Sequence, residues 1–115
     1  MRNPPEYMDG CFHLYNTKVD NTTDFPVVRL VDTGLDIWYR ELSVFDRTRH
    51  EFNQSGKEVT MKVRIPRYKV INSTCVCVIE EEQHQIYNAA HVMDKSGFPE
   101  TELTLIRPER QLDIL

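Results

Sequence analysis

Cys75-Val76-Cys77 places two thiols on one face of a β-strand, because side chains alternate across a strand with a period of two. Cys11 and His13 repeat that arrangement, and His84 and His91 lie nearby in sequence. Such residues can hold zinc or build a thiol–imidazole nucleophile pair. Zinc knuckles, however, keep two residues between paired ligands in a tight turn, and a Cys-x-Cys in mid-strand makes no knuckle. No third orienting group, oxyanion nest or glycine-rich turn marks a nucleophile site. The expectation is cysteines that act as small buried hydrophobes, with no metal, no cofactor and no enzymatic activity. A Cys/His metal or thiol protein built on Cys11, His13, Cys75, Cys77 and His84 is the less favoured alternative.

Charged residues offer two further constellations. Glu80-Glu81-Glu82 is an acid run between two strand-like stretches and reads as a solvated hairpin tip; a divalent cation would need more carboxylates converging from elsewhere. In KEVTMKVRIPRY, Val59, Met61, Val63 and Ile65 alternate with Thr60, Lys62 and Arg64, giving one oily and one basic face. Lys62, Arg64 and Arg67 lack the interleaved aromatics of a nucleic-acid groove. They read as a solvated stripe or one that faces a neighbouring acidic subunit. In LDIWYREL, Leu35, Ile37 and Tyr39 share one side, and the single tryptophan, Trp38, faces the other with Asp36 and Arg40. An aromatic beside an arginine there marks a protein interface, or else a curved barrel strand covered on both sides.

These residues sit in a chain of 115 residues that is 40% hydrophobic and 28% charged, enough apolar content for one folded domain rather than a disordered chain. The net charge of −4 argues against a dedicated nucleic-acid binder. No stretch has the length and apolarity of a membrane span, and MRNPPEYMDG lacks the apolar region of a secretory signal. Three free thiols in a reducing compartment are expected.

The order of elements follows from periodicity and breakers. Residues 1–10 and 108–115 read as tails. CFHLY reads as a short first strand, and NTKVDNTTDF as a loop. PVVRLVDTG and LDIWYREL read as two strands of a hairpin turning at Gly34. Ser43 fits a helix N-cap and Gly56 a stop, so residues 44–54 are expected as a short helix or a mobile loop. KEVTMKVRI, TCVCVIE, HQIYNAAHVMD and TELTLIRP follow as strands. The fold class is mainly β: a small antiparallel β-barrel or sandwich, residues 1–115 as one domain, with one short helix or flexible insertion at about 43–56.

The succession of these pieces resembles the head-closure proteins (stoppers, or head-completion proteins) of long-tailed bacteriophages. That family shows a tryptophan strand, an insertion, a T-x-x-V-x-I-R-Y strand, a hydrophobic strand and turn, a tyrosine strand and a final L-x-L strand. The matching residues are Trp38; Thr60, Val63, Ile65, Arg67 and Tyr68; Ile86 and Tyr87; and Leu103 and Leu105, across residues 35–107. The resemblance implies a virion protein made in the bacterial host cytoplasm. Its subunits would form a homo-oligomeric ring at the head–tail interface, close the DNA-filled capsid below the portal and adaptor, and dock the tail protein. Genomic DNA would pass without sequence-specific binding, and no membrane is involved. The insertion would be a channel or gating segment, with Phe45, Arg47, Arg49, His50, Glu51 and Phe52. Trp38, Arg40, Lys62, Arg64 and Arg67 would meet a subunit or partner. A tail terminator or adaptor is the alternative within the same kind of barrel.

Overall fold

The computed structural model describes residues 6–22, 24–42, 58–68 and 70–114. Six strands run β1 (Gly10–Asp20), β2 (Val27–Leu42), β3 (Val59–Pro66), β4 (Cys75–Ile79), β5 (Glu82–Met93) and β6 (Pro99–Ile106). They close into one antiparallel barrel in the order β1-β2-β3-β6-β5-β4, with β4 returning to β1. Closure pairs nearly every strand on both sides and removes most open edges.

The interior is what the alternation requires. Val59, Val63 and Ile65 of β3 are buried while Thr60, Lys62 and Arg64 face out. Phe12 and Leu14, Ile37 and Tyr39, Cys75 and Cys77, Ile86, and Leu103 and Leu105 fill the same core. Cys75 and Cys77 thus serve as core residues. Tyr39 stacks on Phe12 at a centroid distance of 6.0 Å. Its ring lies over Gly10, where any Cβ would collide with it.

Two local expectations are corrected. Asn16–Asp20 form the second half of β1 rather than a loop, paired with Val31–Val27. Gly34 is not a hairpin turn: β2 runs through it without a break, and the hairpin is β1–β2, turning between Asp20 and Val27. The positive φ of Gly34 (76°) serves a bulge, where the register jumps from Leu14↔Leu35 to Tyr15↔Asp32. A glycine at φ > 0 signals a bulge as readily as a turn, and only the pairing decides between them.

The acid run does form a tight turn. Ile79 pairs with Glu82, leaving Glu80 and Glu81 as a two-residue loop with φ of 49° and 69°. Both angles lie in the left-handed region that such hairpins demand and that favours Asn-Gly. The expected helix at 44–54 and the gating residues Phe45, Arg47, Arg49, His50, Glu51 and Phe52 fall outside the described residues. On either side of them, Leu42 pairs with Lys62, so β2 and β3 are neighbours in the barrel.

Candidate functional site

The outer wall formed by β2, β3 and β6 carries the densest chemistry. Register places Arg40 beside Arg64, and Arg64 beside Glu102. Glu100 lies two residues before Glu102 and therefore on the same face. Its side chain is fully buried, although it points away from the barrel core.

Three donors account for that burial. Arg40 Nη2 reaches both Glu100 carboxylate oxygens at 3.1 Å. Arg64 Nη1 reaches Oε1 at 3.3 Å, and the Tyr7 hydroxyl donates to Oε2 at 2.8 Å. Arg64 also donates to Glu102 through Nε (3.2 Å) and Nη2 (3.1 Å), and Lys62 stands 3.7 Å from the same carboxylate. Three cations thus face two carboxylates, and ionised partners make the stronger kind of hydrogen bond. Burial, then the hydrogen bond to Glu100, pushes the Tyr7 hydroxyl well above its ordinary range, so it stays a donor.

Tyr7 arrives from an amino-terminal segment that is docked. Asp9 N donates to the Tyr39 carbonyl (3.1 Å), and Glu41 N donates to Asp9 Oδ2 (2.8 Å). These bonds extend β1 past its first residue and lay residues 7–9 against the wall. Tyr7, within the stretch read as a tail, closes over Glu100.

The residues expected at an interface are therefore divided. Arg40, Lys62 and Arg64 find acidic partners within the chain, on β6, and each keeps part of its side chain exposed. Arg67 is exposed and donates to the Val92 carbonyl at 2.7 Å. Trp38, two residues before Arg40 on the same face, remains 59% exposed. Sequence reasoning missed Glu100, because Gly97 and Pro99 made residues 95–100 look like a loop. The signal available was the alternation of Glu100, Glu102 and Thr104 on one face, opposite Lys62 and Arg64.

A second polar cluster, also missed, sits across the β1–β2 bulge. His13 Nε2 lies 2.5 Å from Asp32 Oδ1, and Nδ1 lies 2.6 Å from Asp36 Oδ1. Ionised carboxylates only accept, so both contacts are hydrogen bonds when both ring nitrogens carry protons, which is the imidazolium form. The hydrogen bonds to Asp32 and then Asp36 raise the His13 pKa, and the bond from His13, with that from Gly34 N, lowers that of Asp32.

Among the described residues the cysteines and histidines do not gather. Cys11 lies opposite the exposed Trp38 on β2, and His13 is held by its two aspartates. Cys77 is buried in the core, where desolvation and then the neighbouring Cys75 push its thiol far above the ordinary range, away from thiolate chemistry. His84 pairs with Cys77 by register, but its Nδ1 is 2.8 Å from the Thr60 hydroxyl, and burial lowers its pKa. Among the described residues no three His, Cys, Asp or Glu side chains converge as a metal site. The wall offers a shaped, charged and aromatic surface. Compared with protein-family models and with curated proteins, the chain matches none.

Proposed function

We propose that this protein is a ring-forming structural subunit of the head-to-tail connector of a tailed bacteriophage, closing the filled capsid and presenting a docking face to the tail. One observation carries the reading. The pieces of the head-closure pattern fall in order on consecutive strands of one closed barrel: the tryptophan on β2, the alternating strand as β3, the hydrophobic and tyrosine strands as β4 and β5, and the terminal L-x-L on β6. The insertion of that pattern falls between β2 and β3, whose ends lie side by side.

The surface is consistent with a protein partner. Trp38 is a large aromatic on an outer face, held beside an arginine that Glu100 fixes in place, and such anchors concentrate binding energy in interfaces. Glu100 and Glu102 offset two of the three positive charges of Arg40, Lys62 and Arg64, which weakens any hold of the wall on phosphate and suits a conduit for DNA.

The test is biochemical. Tail-less, DNA-filled heads incubated with the purified protein should bind it and retain their DNA, and mature particles should contain it. Trp38→Ala should fold normally and fail to bind heads. Absence of the chain from particles, or catalytic turnover of a small substrate by the pure protein, would overturn the proposal.

A further inference from the structure

The β1–β2 hairpin extends beyond the barrel. β4 pairs with β1 only through Asn16, and β3 pairs with β2 only from Arg40 to Leu42. Among the described residues, Lys18–Asp20 pair with Arg29–Val27, and Leu30–Asp32 pair with Thr17–Tyr15. Together they make a two-stranded arm whose outer edges pair with none of the other named strands. Leu30 N points outward, away from β1, and by the alternation of an antiparallel ladder Val28 and Asp32 share that orientation. An open row of backbone donors and acceptors of this kind is a template for another strand.

One segment covers this edge. Residues 109–114 cross from the end of β6, and Leu30 N donates to the Asp113 carbonyl at 2.8 Å, in a single parallel bridge with Ile114. Further back, the Gln83 side chain clamps Leu112 like a strand partner, donating to its carbonyl at 2.7 Å and accepting from its N–H at 2.9 Å. A loose ion pair joins Arg29 and Asp113 at 3.7 Å. The seating is thin. Ile114 is 58% exposed, and a groove of about 660 Å³ lies along the segment, lined by Thr17, Val28, Val76, Gln85 and Leu112.

We propose that the carboxy-terminal segment is an edge guard, and that the β2 edge it covers is an interaction surface for a strand from a second copy of this chain. The bridge at Leu30 demonstrates that the edge takes a foreign backbone in strand register. The occupant is a second copy because the arm carries both halves of such a contact. Among the described residues the β1 edge at Lys18–Asp20 pairs with no strand other than β2, and it lies on the opposite side of the ribbon from the β2 edge. Among the described residues the guard is held by the bridge at Leu30, the Gln83 clamp and the Arg29–Asp113 ion pair, and displacing it exchanges these local contacts for a longer ladder. This inference uses the free protein alone and does not depend on the connector reading.

The experiment compares the full chain with a variant lacking residues 109–115 and with full-length Gln83→Ala, each checked by circular dichroism. Hydrogen exchange should show the Leu30 amide protected in the full chain and unprotected in both variants. Sedimentation should then give the full chain the mass of one 13.6-kDa protomer at low concentration. The variants should at least double in mass as concentration rises. Adding Val28→Pro, which removes an outward donor without touching the β1 ladder, should return them to monomers. Folded variants that expose Leu30 yet stay monomeric, or oligomers that survive Val28→Pro, would overturn the proposal. If the shortened chain does not fold, Gln83→Ala carries the same readouts.

Discussion

Two polar clusters on the outside of the barrel make a controlled comparison. Around Glu100, one carboxylate takes hydrogen bonds from Tyr7, Arg40 and Arg64 out of reach of water. Around His13, one imidazole is held by Asp32 and Asp36, both more than half exposed. The His13 contacts are the shorter, at 2.5 and 2.6 Å against 2.8–3.3 Å. Distance nevertheless does not rank them. A charge removed from water depends on every partner it has, whereas an exposed one regains hydration when a partner leaves. The buried cluster should therefore dominate stability, and the exposed one should act mainly as a pH-dependent trim.

Removing the carboxylate is the strongest way to break that contrast. Glu100→Gln leaves two guanidinium groups facing each other without their shared anion. It should lower unfolding free energy by about 3 kcal/mol, the low end for a broken buried pair because Arg40 and Arg64 keep some solvent access. Urea denaturation gives the value directly, and a loss under 1 kcal/mol would mean that water reaches the cluster.

Tyr7→Phe tests the covering segment. It deletes one hydrogen bond to a buried anion and should destabilise by about 1.5 kcal/mol. Exchange at the Glu41 amide, which rests on Asp9 in the same segment, should accelerate with it.

A change remote from both clusters calibrates the scale with the opposite sign. Replacing Glu80-Glu81 with Asn-Gly relieves two left-handed residues that carry a Cβ and should stabilise the barrel by about 1 kcal/mol.

The smallest effect belongs to His13, and its sign is fixed. A histidine whose pKa is raised by folding contributes stability that is complete below its unfolded pKa, near 6.5. That contribution disappears as pH rises through the folded value. The imidazole resonances should titrate above 6.5, and the difference in Tm between wild type and His13→Gln should shrink on the alkaline side. His84, whose pKa is lowered by burial, works in the other direction, so stability falls as the solution is acidified below its unfolded pKa. Separating the two requires the His13 variant rather than the wild-type curve alone.

How much of this was legible beforehand depended on range. The β3 alternation, the burial of Cys75 and Cys77, the outward Trp38 and the tip at Glu80-Glu81 are local patterns, and the closed barrel grows from them. The errors came where pairing decides. Asp32-Thr33-Gly34 has turn chemistry, but β1 runs alongside it and converts it into a bulge. The loop-like Asn16–Asp20 becomes strand because β2 supplies a ladder. Glu100 and its donors come from residues as far apart as Tyr7 and Arg64, and sequence periodicity carries no information at that separation. Both terminal segments read as tails because their contacts are likewise long-range.

The single tryptophan has a spectroscopic consequence. Trp38 stands on the wall with most of its indole in water, so the emission of the free protein already resembles that of a denatured chain. Fluorescence wavelength will follow unfolding of this barrel poorly. The same indole becomes a native reporter of encounter: whatever covers the wall beside Arg40 will shift the emission to the blue, without a label and without a mutation.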